Sequence, residues 1–140
     1  SGRGVNDRGM TLWCSFVITG AEGGVLYHVG DTGYGDGSIF PRIRERYGSP
    51  DAALLPIGAY EPRWFMKDQH CNPAESVQIH LDLGAKKSLG VHWGCFQLTD
   101  EPLDQPPRDL AAARIERGVA ADDFFTLAVG QTWQIPPRSA

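Results

Sequence analysis

The chain has 140 residues, of which 41% are hydrophobic and 21% charged, a composition that is typical of a folded domain and argues against disorder. The net charge of −4, with acids and bases interspersed, argues against nucleic acid as a partner. No apolar run approaches the roughly 20 residues that a membrane span needs, and three widely spaced cysteines predict reduced thiols in a cytoplasmic protein.

The chain opens with a predicted hairpin. Residues 11–19 (TLWCSFVIT) are rich in β-branched and aromatic side chains and predict a strand, as do residues 25–30 (VLYHVG). The intervening turn, residues 20–24, contains three glycines. Residues 30–37 hold four more and predict a loop.

A helix and a buried strand follow. Ile39, Ile43 and Tyr47 share one helical face, and Gly48 ends that helix. The short apolar run at 51–57 (DAALLPI) predicts a buried strand, and a polar and aromatic loop reaches from there to residue 70.

Asn72 and Pro73 mark the start of the next helix, with Asn72 as N-cap and Glu75 three positions later. This helix is predicted to run to about Leu83 and to end at Gly84.

The last part of the chain is predicted to add a strand at 88–93, a loop at 94–107 and a helix at 108–117. Residues 124–129 and 132–135 predict a terminal hairpin or a bent strand. The order ββαβαβαβ(β) indicates a layered α/β arrangement over residues 1–135, with a frayed proline-rich tail at 136–140.

Two side chains at strand ends are candidates for chemistry. Asp31 lies where a strand meets the glycine-rich loop, and His92 lies at the end of SLGVHW. Carboxylate and imidazole in such places suit a metal. From the residues alone, an Asx turn is the favoured interpretation of Asp31 and a hydrogen-bonded core histidine that of His92.

The other titratable candidates are weaker. His70 lies in an irregular loop, a favourable place for function, whereas His80 is predicted to be a packing residue. His28 is uninformative, and Cys95 is predicted to be a structural thiol because no basic neighbour would lower its pKa.

The loop IGAYEPRWFM at 57–66 concentrates aromatic, cationic and soft apolar side chains. It could line a lipid or acyl pocket, with Tyr60 in its wall and Arg63 binding a phosphate. The alternative is a loop that buries its own aromatics, with Glu61 and Arg63 paired.

No nucleophile elbow, P-loop or dinucleotide motif is present in the sequence. Two ligands do not hold a catalytic zinc, which takes about three from protein plus a water. The residues by themselves therefore indicate an incomplete metal site.

The chain as a whole resembles the N-acylphosphatidylethanolamine-hydrolysing phospholipase D group of the metallo-β-lactamase superfamily. The resemblance is carried, in this order, by GDTGY at 30–34, LLPIGAYEPRWFM at 54–66, NPAESVQIH at 72–80, KSLGVHWGCFQLTDEP at 87–102 and DDFFTLAVGQTW at 122–133.

That resemblance implies the C-terminal half of an αββα sandwich whose complete form holds two zinc ions. The hallmark His-x-His-x-Asp-His motif lies in an N-terminal half that these residues do not include, and the chain is expected to begin just after a further histidine ligand. Asp31 matches the carboxylate that bridges the metals and His92 matches the last histidine ligand. Arg3, Gln69 and His70 match positions near the substrate pocket.

The activity so implied is hydrolysis of a phosphodiester in an N-acyl phospholipid or related substrate, with two metals that activate a hydroxide. The competing interpretations are a lactonase or ester hydrolase with the same metals, and a non-catalytic half-domain that binds a partner. A half-sandwich is expected to associate with the missing half or with itself, and to bind zinc weakly or not at all. Peripheral contact with a membrane is a further expectation.

Overall fold

The structure is a computed structural model that describes residues 6, 13–21 and 23–135. Arg3, the first two residues of the strand predicted at 11–19, and the tail predicted to fray at 136–140 lie outside the described residues.

Within the described residues, five strands form one mixed sheet in the order β1-β2-β3-β4-β5. The first two strands are antiparallel, and each later strand lies parallel to its neighbour. The strands are β1 (Phe16–Thr19), β2 (Val25–His28), β3 (Ala52–Pro56), β4 (Ser88–Val91) and β5 (Phe124–Phe125). Parallel pairing of successive strands brings the ends of β2, β3 and β4 to one edge of the sheet.

Helices cover one face of this sheet. They are α1 (Ile39–Tyr47), α3 (Pro73–Leu83) and α4 (Gln105–Arg117), whereas the single-turn α2 (Arg63–Met66) lies in the connection between β3 and α3 and buries none of its residues. The core lies between α1, α3, α4 and the sheet and includes Tyr27, Leu55 and Phe124 from the strands. The layered α/β class expected from the element order is confirmed.

Local signals at helix ends are confirmed. Asn72 and Glu75 form a complete capping box at the start of α3, in which each side chain accepts from the other residue's backbone N–H. Gly84 ends that helix in the left-handed conformation, and Gly48 ends α1 with φ 82°.

Several predicted boundaries are wrong. The predicted terminal hairpin is absent from the described residues, because only Phe124–Phe125 pairs with β4 while residues 132–135 form no strand. Trp133 instead packs edge-on against Phe125. The predicted loop before Asn72 contains α2, and α4 begins at Gln105, three residues early, since Pro106 and Pro107 are tolerated in a first turn.

The second face of the sheet is apolar and open. Side chains alternate along each strand, so those that do not face the helices point to this side. Phe16 and Ile18 are 59% and 53% exposed. The half-buried members of this open face are Leu26, Leu54, Leu89, Val91 and Phe125.

None of the helices in the described part of the chain combines the length and the apolar character required to cross a bilayer.

Candidate metal centre

Three side chains from three neighbouring connections converge at the carboxyl edge of the sheet. Asp31 follows β2, His92 directly follows β4, and His70 lies in the connection between β3 and α3. One donor atom from each lies within 4.8 Å of the other two. The carboxyl ends of parallel strands are the usual place for a ligand site in open α/β sheets.

The carboxylate of Asp31 lies between the two imidazoles. Its Oδ1 is 2.7 Å from His70 Nδ1, and its Oδ2 is 3.6 Å from His92 Nε2. The two rings are 5.5 Å apart, centroid to centroid. The Asp31 side chain is 50% exposed, so solvent reaches the cluster.

The donor set fits a zinc ion. Imidazole nitrogen and carboxylate oxygen are ordinary zinc ligands. His70 Nδ1 is buried and, within the described residues, its approach to Asp31 does not have the angles of a hydrogen bond. A buried imidazole nitrogen without a hydrogen-bond partner among these residues, beside a carboxylate and a second imidazole, is a donor that a cation would satisfy.

The pKa of the Asp31 carboxyl is lowered. Partial burial by itself would raise this pKa, but the contact with His70 and the charges of His70 and His92 outweigh that effect. The carboxylate is therefore anionic at neutral pH, the state that binds a metal.

The loop that carries Asp31 is fixed by close backbone approach. Gly30 has φ 81°, a conformation in which glycine is at no disadvantage. A Cβ at Gly33 would lie 2.7 Å from the carbonyl oxygen of Lys67. Cys71 N–H donates to the carbonyl of Thr32 at 2.9 Å, which ties the same loop to the chain just after His70.

His92 is held in a left-handed backbone conformation with φ 61°. Gly58, which follows β3, packs against it so closely that a Cβ there would lie 2.3 Å from the His92 carbonyl oxygen. Trp93 Nε1 donates to the carbonyl of Gly90 at 3.1 Å and fixes the residue after His92.

Arg63 and Tyr60, predicted to contact substrate, are engaged within the protein. The Arg63 guanidinium donates to both carboxylate oxygens of Glu75, at 2.9 and 2.8 Å, and to the carbonyl of His70 at 3.0 Å. The predicted pairing of Arg63 with Glu61 is wrong at the guanidinium, because Glu61 accepts from the backbone N–H of Arg63.

Tyr60 is 4% exposed, and its hydroxyl donates to Asp109. Burial and the nearby carboxylate of Asp109 raise the pKa of this hydroxyl, so it remains a neutral donor. The assignment of Tyr60 and Arg63 to substrate stays a prediction, as do those of the exposed Gln69 and of Arg3, which lies outside the described residues.

The contacts and exposure of His80, His28 and Cys95 show how these three candidates are placed. His80 is a packing residue as predicted, with Nδ1 2.8 Å from Ser88 Oγ and its ring beside Phe124. His28 Nδ1 accepts from the backbone of Gly30. Cys95 is exposed rather than part of the core, which corrects its assignment as a structural thiol.

A cavity of about 250 Å³ adjoins the cluster. It is lined by His92 and Trp93, by Gly58 and Ala59, and by the loop before α4, which contributes the apolar side chains of Phe96, Leu98 and Leu103. An apolar substrate group placed here would lie next to a candidate metal ligand.

Sequence reasoning missed two features of this region. His70 was assigned to the substrate pocket and not to the metal, because its position in an irregular loop gives no spacing relative to Asp31. Glu101 was not singled out, although its buried carboxylate binds the turn next to His92. No local pattern marks that contact, since the partners are about 40 residues apart.

The strand order, the helical layer and the Asp/His/His cluster at the sheet edge define a metallo-β-lactamase type of fold. Residues 1–93 match the family model of the beta-lactamase superfamily domain. The chain belongs to the metallo-β-lactamase superfamily, in the group that resembles N-acyl-phosphatidylethanolamine-hydrolyzing phospholipase D.

Two curated relatives place the chain within that group. It is 38% identical to N-acyl-phosphatidylethanolamine-hydrolyzing phospholipase D 1 of Caenorhabditis elegans, over 97% of this chain and 38% of the relative. It is 46% identical to the mitochondrial N-acyl-phosphatidylethanolamine-hydrolyzing phospholipase D of Saccharomyces cerevisiae, over 94% of this chain and 28% of the relative. The chain thus spans about a third of the length of these relatives.

Solved structures support the fold. An isothiocyanate hydrolase from Delia radicum gut bacteria superposes with a TM-score of 0.65 at 17% identity, over 89% of this chain and 45% of that one. The metallo-beta-lactamase fold protein YhfI from Bacillus subtilis superposes with a TM-score of 0.54 at 19% identity, over 79% and 40%.

Proposed function

We propose that this chain is the C-terminal half of a zinc-dependent phosphodiesterase that acts on an N-acyl phospholipid or a related substrate. The observation that carries the proposal is the convergence of Asp31, His70 and His92 at the carboxyl edge of the sheet. The names of the two relatives at 38% and 46% identity support the substrate class.

The residues of the chain have separate parts in this proposal. Zinc ions, when bound, would activate a hydroxide and stabilise charge on the phosphoryl oxygens. Asp31 presents one oxygen to each side of the cluster, which suits a carboxylate shared between two ions. His92 provides a nitrogen ligand, and His70 either adds a third donor or holds the Asp31 carboxylate in place.

The cavity beside His92 supports a substrate with an apolar part. Phe96, Leu98 and Leu103 give it an apolar wall, so the scissile phosphodiester would lie at the cluster and an acyl chain would extend over that wall. Trp64 is 86% exposed and Phe65 58% exposed on the neighbouring α2. These two side chains support peripheral contact with a lipid surface.

The open face of the sheet supports the view that a second layer completes the site. Three donors are fewer than two zinc ions need, and the solved structures that share the fold are more than twice as long as the part matched here. We therefore expect the isolated 140 residues to bind zinc weakly or not at all.

The test is hydrolysis by the complete protein of two substrate types, N-acyl phosphatidylethanolamine and an acyl lactone. The proposal expects turnover of the phosphodiester and none, or far less, of the lactone. Efficient lactone hydrolysis with an inert phosphodiester would overturn the substrate class and leave the metal site standing.

Variants of the cluster test the residues. Asp31→Asn and His92→Gln are expected to lower phosphodiester turnover by more than about 100-fold, beyond the effect typical of residues that only support ligands. The matched controls are Asp36→Asn in the same loop and His28→Gln on β2, neither of which belongs to the cluster. Equal losses in the controls would contradict the assignment.

A further inference from the structure

Glu101 is a buried carboxylate that binds three successive backbone N–H groups. It lies between β4 and α4 and is 8% exposed. Oε1 accepts from Ala59 at 2.7 Å and Tyr60 at 3.2 Å, and Oε2 accepts from Glu61 at 3.0 Å. Successive N–H groups of this kind form a concavity that binds anions, and here a side chain of the same protein fills it.

The turn that Glu101 binds has an unfavourable backbone conformation. Ala59 has φ 62°, in the left-handed region that residues with a Cβ avoid. The chain keeps such a conformation only where surrounding contacts fix it. The hydrogen bonds to Glu101 start at Ala59 itself and supply that constraint.

The same turn supports His92. Gly58, the residue before Ala59, is in backbone contact with the His92 carbonyl, with no space for even a Cβ. His92 in turn has φ 61°. The left-handed Ala59 therefore directly follows the glycine that packs against the left-handed His92, next to the candidate metal cluster.

The backbone around Glu101 is also fixed. Gln97 Nε2 donates to the carbonyls of Thr99 and Glu101, both at 2.6 Å. Asp100 N–H donates to the carbonyl of Glu61 at 3.3 Å. The segment that begins at His92 thus contacts the turn at residues 59–61, and the residue before that turn, Gly58, packs against His92 itself.

The other end of the turn leads to His70. Arg63 is two residues after Glu61, and its guanidinium donates to the His70 carbonyl while it is held by Glu75. A displacement of residues 59–61 would therefore be transmitted to both histidines of the cluster, through Gly58 on one side and Arg63 on the other.

We propose that Glu101 is a positioning residue that sets the separation of His70 and His92 by binding the turn at residues 59–61. The inference rests on the proposed function only in that the cluster is taken to hold zinc. Because the carboxylate of Glu101 occupies the concavity, the N–H groups of this turn are not a binding site for a substrate phosphate.

The test compares Glu101→Gln with Asp51→Asn in the 140-residue chain. The glutamine keeps the size of the side chain but presents one NH2 group to an N–H donor, so the turn loses an acceptor. Asp51 is the matched control, because it is a buried carboxylate that accepts from a backbone N–H, Val25 at 2.8 Å, at the opposite end of β3.

The first readout is the set of imidazole nitrogen resonances of His70 and His92 in metal-free protein. The proposal expects both sets to shift in Glu101→Gln and to stay in place in Asp51→Asn, although both variants lose stability. Unchanged resonances in Glu101→Gln, or equal shifts in Asp51→Asn, would overturn the proposal.

The second readout is the zinc affinity of the same variants in the complete protein, measured with zinc alone. The proposal expects Glu101→Gln to weaken it about 10-fold, as for other residues that orient ligands, and Asp51→Asn to leave it unchanged. If the complete wild-type protein binds no zinc, the metal centre assumed in the proposed function is wrong. The resonances of the metal-free protein would still test whether Glu101 positions the two histidines.

A second pair of variants tests the proposal even if Glu101→Gln by itself does not fold. In Ala59→Gly, glycine adopts the left-handed conformation without a penalty, so the turn depends less on Glu101 for its formation. The resonances of Ala59→Gly and of Ala59→Gly with Glu101→Gln are then compared. A shift of the His92 signals between these two supports the positioning role, and identical spectra contradict it.

Discussion

Glu101 is the residue that we propose to position the candidate metal centre. The free energy of unfolding should depend on the ionisation of its carboxyl group. Burial alone would raise the pKa of this carboxyl, but hydrogen bonds from Thr99 and from backbone N–H groups, including those of Glu61 and Tyr60, lower it below 4.5. A carboxyl whose folded-state pKa is lowered stabilises the protein above its ordinary pKa, and the contribution is lost as pH falls through the lower folded-state value.

We therefore expect the stability difference between wild type and Glu101→Gln to be about 1–3 kcal/mol at neutral pH, the usual cost of leaving a buried partner unsatisfied. The difference should shrink as pH falls below 4.5. Urea unfolding of both proteins at neutral and acidic pH measures it. A difference that is independent of pH would show that the charge of Glu101 is not what binds the turn.

Some residues of the candidate site can be recognised in the sequence, and others cannot. Asp31 and His92 were singled out because each follows a strand, a position that a short window of sequence displays. Glu101 lies 40 residues from Glu61 and has no such signature, since its role depends on how two connections meet in space. Whether Asp31 and His92 bind metal stays a prediction.

At the level of elements, the candidate centre depends on close contact between the connections that follow β3 and β4. The Gly58 to His92 contact joins backbone to backbone, so rotation of a side chain cannot relieve an added atom. This contact sets how far apart the ends of the two strands lie, and with them the residues of the cluster.

Gly58→Ala is therefore expected to lower the free energy of unfolding by about 1–3 kcal/mol or more and to shift the His92 resonances. Gly20→Ala is the matched control, because a Cβ at Gly20 would meet its nearest atom at an ordinary 3.7 Å. Denaturant unfolding and imidazole spectra measure both effects. A Gly58→Ala protein as stable as the control would mean that this contact is loose.

The N-terminal ends of α3 and α4 allow a second test, of how much a side-chain cap stabilises the protein. Asn72 caps α3, two residues after His70, whereas Asp104 at the corresponding position of α4 makes no capping hydrogen bond. Asn72→Ala should cost about 1 kcal/mol and Asp104→Ala clearly less, in urea unfolding. Equal losses would contradict the role assigned to the cap.

Elements with local signals were predicted well, and those that depend on distant partners were not. The capping box at Asn72 and the helix ends at Gly48 and Gly84 are encoded within a few residues and were found. The strand predicted at 132–135 alternates as a strand should, but a strand also needs a neighbour to pair with, and the local pattern does not supply one.

For the molecule as a whole, the open apolar face of the sheet is the dominant feature. Phe16 and Ile18 on β1 are more than half exposed, and further apolar side chains follow on the other strands. Apolar surfaces of this kind are usually covered by another layer or another molecule. A second layer of the sandwich in the complete protein, or self-association of these residues when they are isolated, is the partner that we propose.

We expect the isolated 140 residues to sediment as a dimer or a larger species. Phe16→Thr combined with Ile18→Thr should shift the chain toward the monomer without loss of stability, because both side chains are exposed and threonine is favourable in strands. The control is Val17→Thr, which faces the helices and should not change association. A monodisperse wild-type monomer would count against the proposal.

We propose that Asp31 and His92 bind zinc together, and a crystal structure of the zinc-loaded complete protein would show whether they do. An anomalous difference map at the zinc edge should show a peak at about 2.0–2.2 Å from an Asp31 carboxylate oxygen and from a His92 nitrogen, with a second peak across the same carboxylate. A map with no peak between these two side chains, or with zinc bound elsewhere, would show that Asp31 and His92 do not bind zinc together.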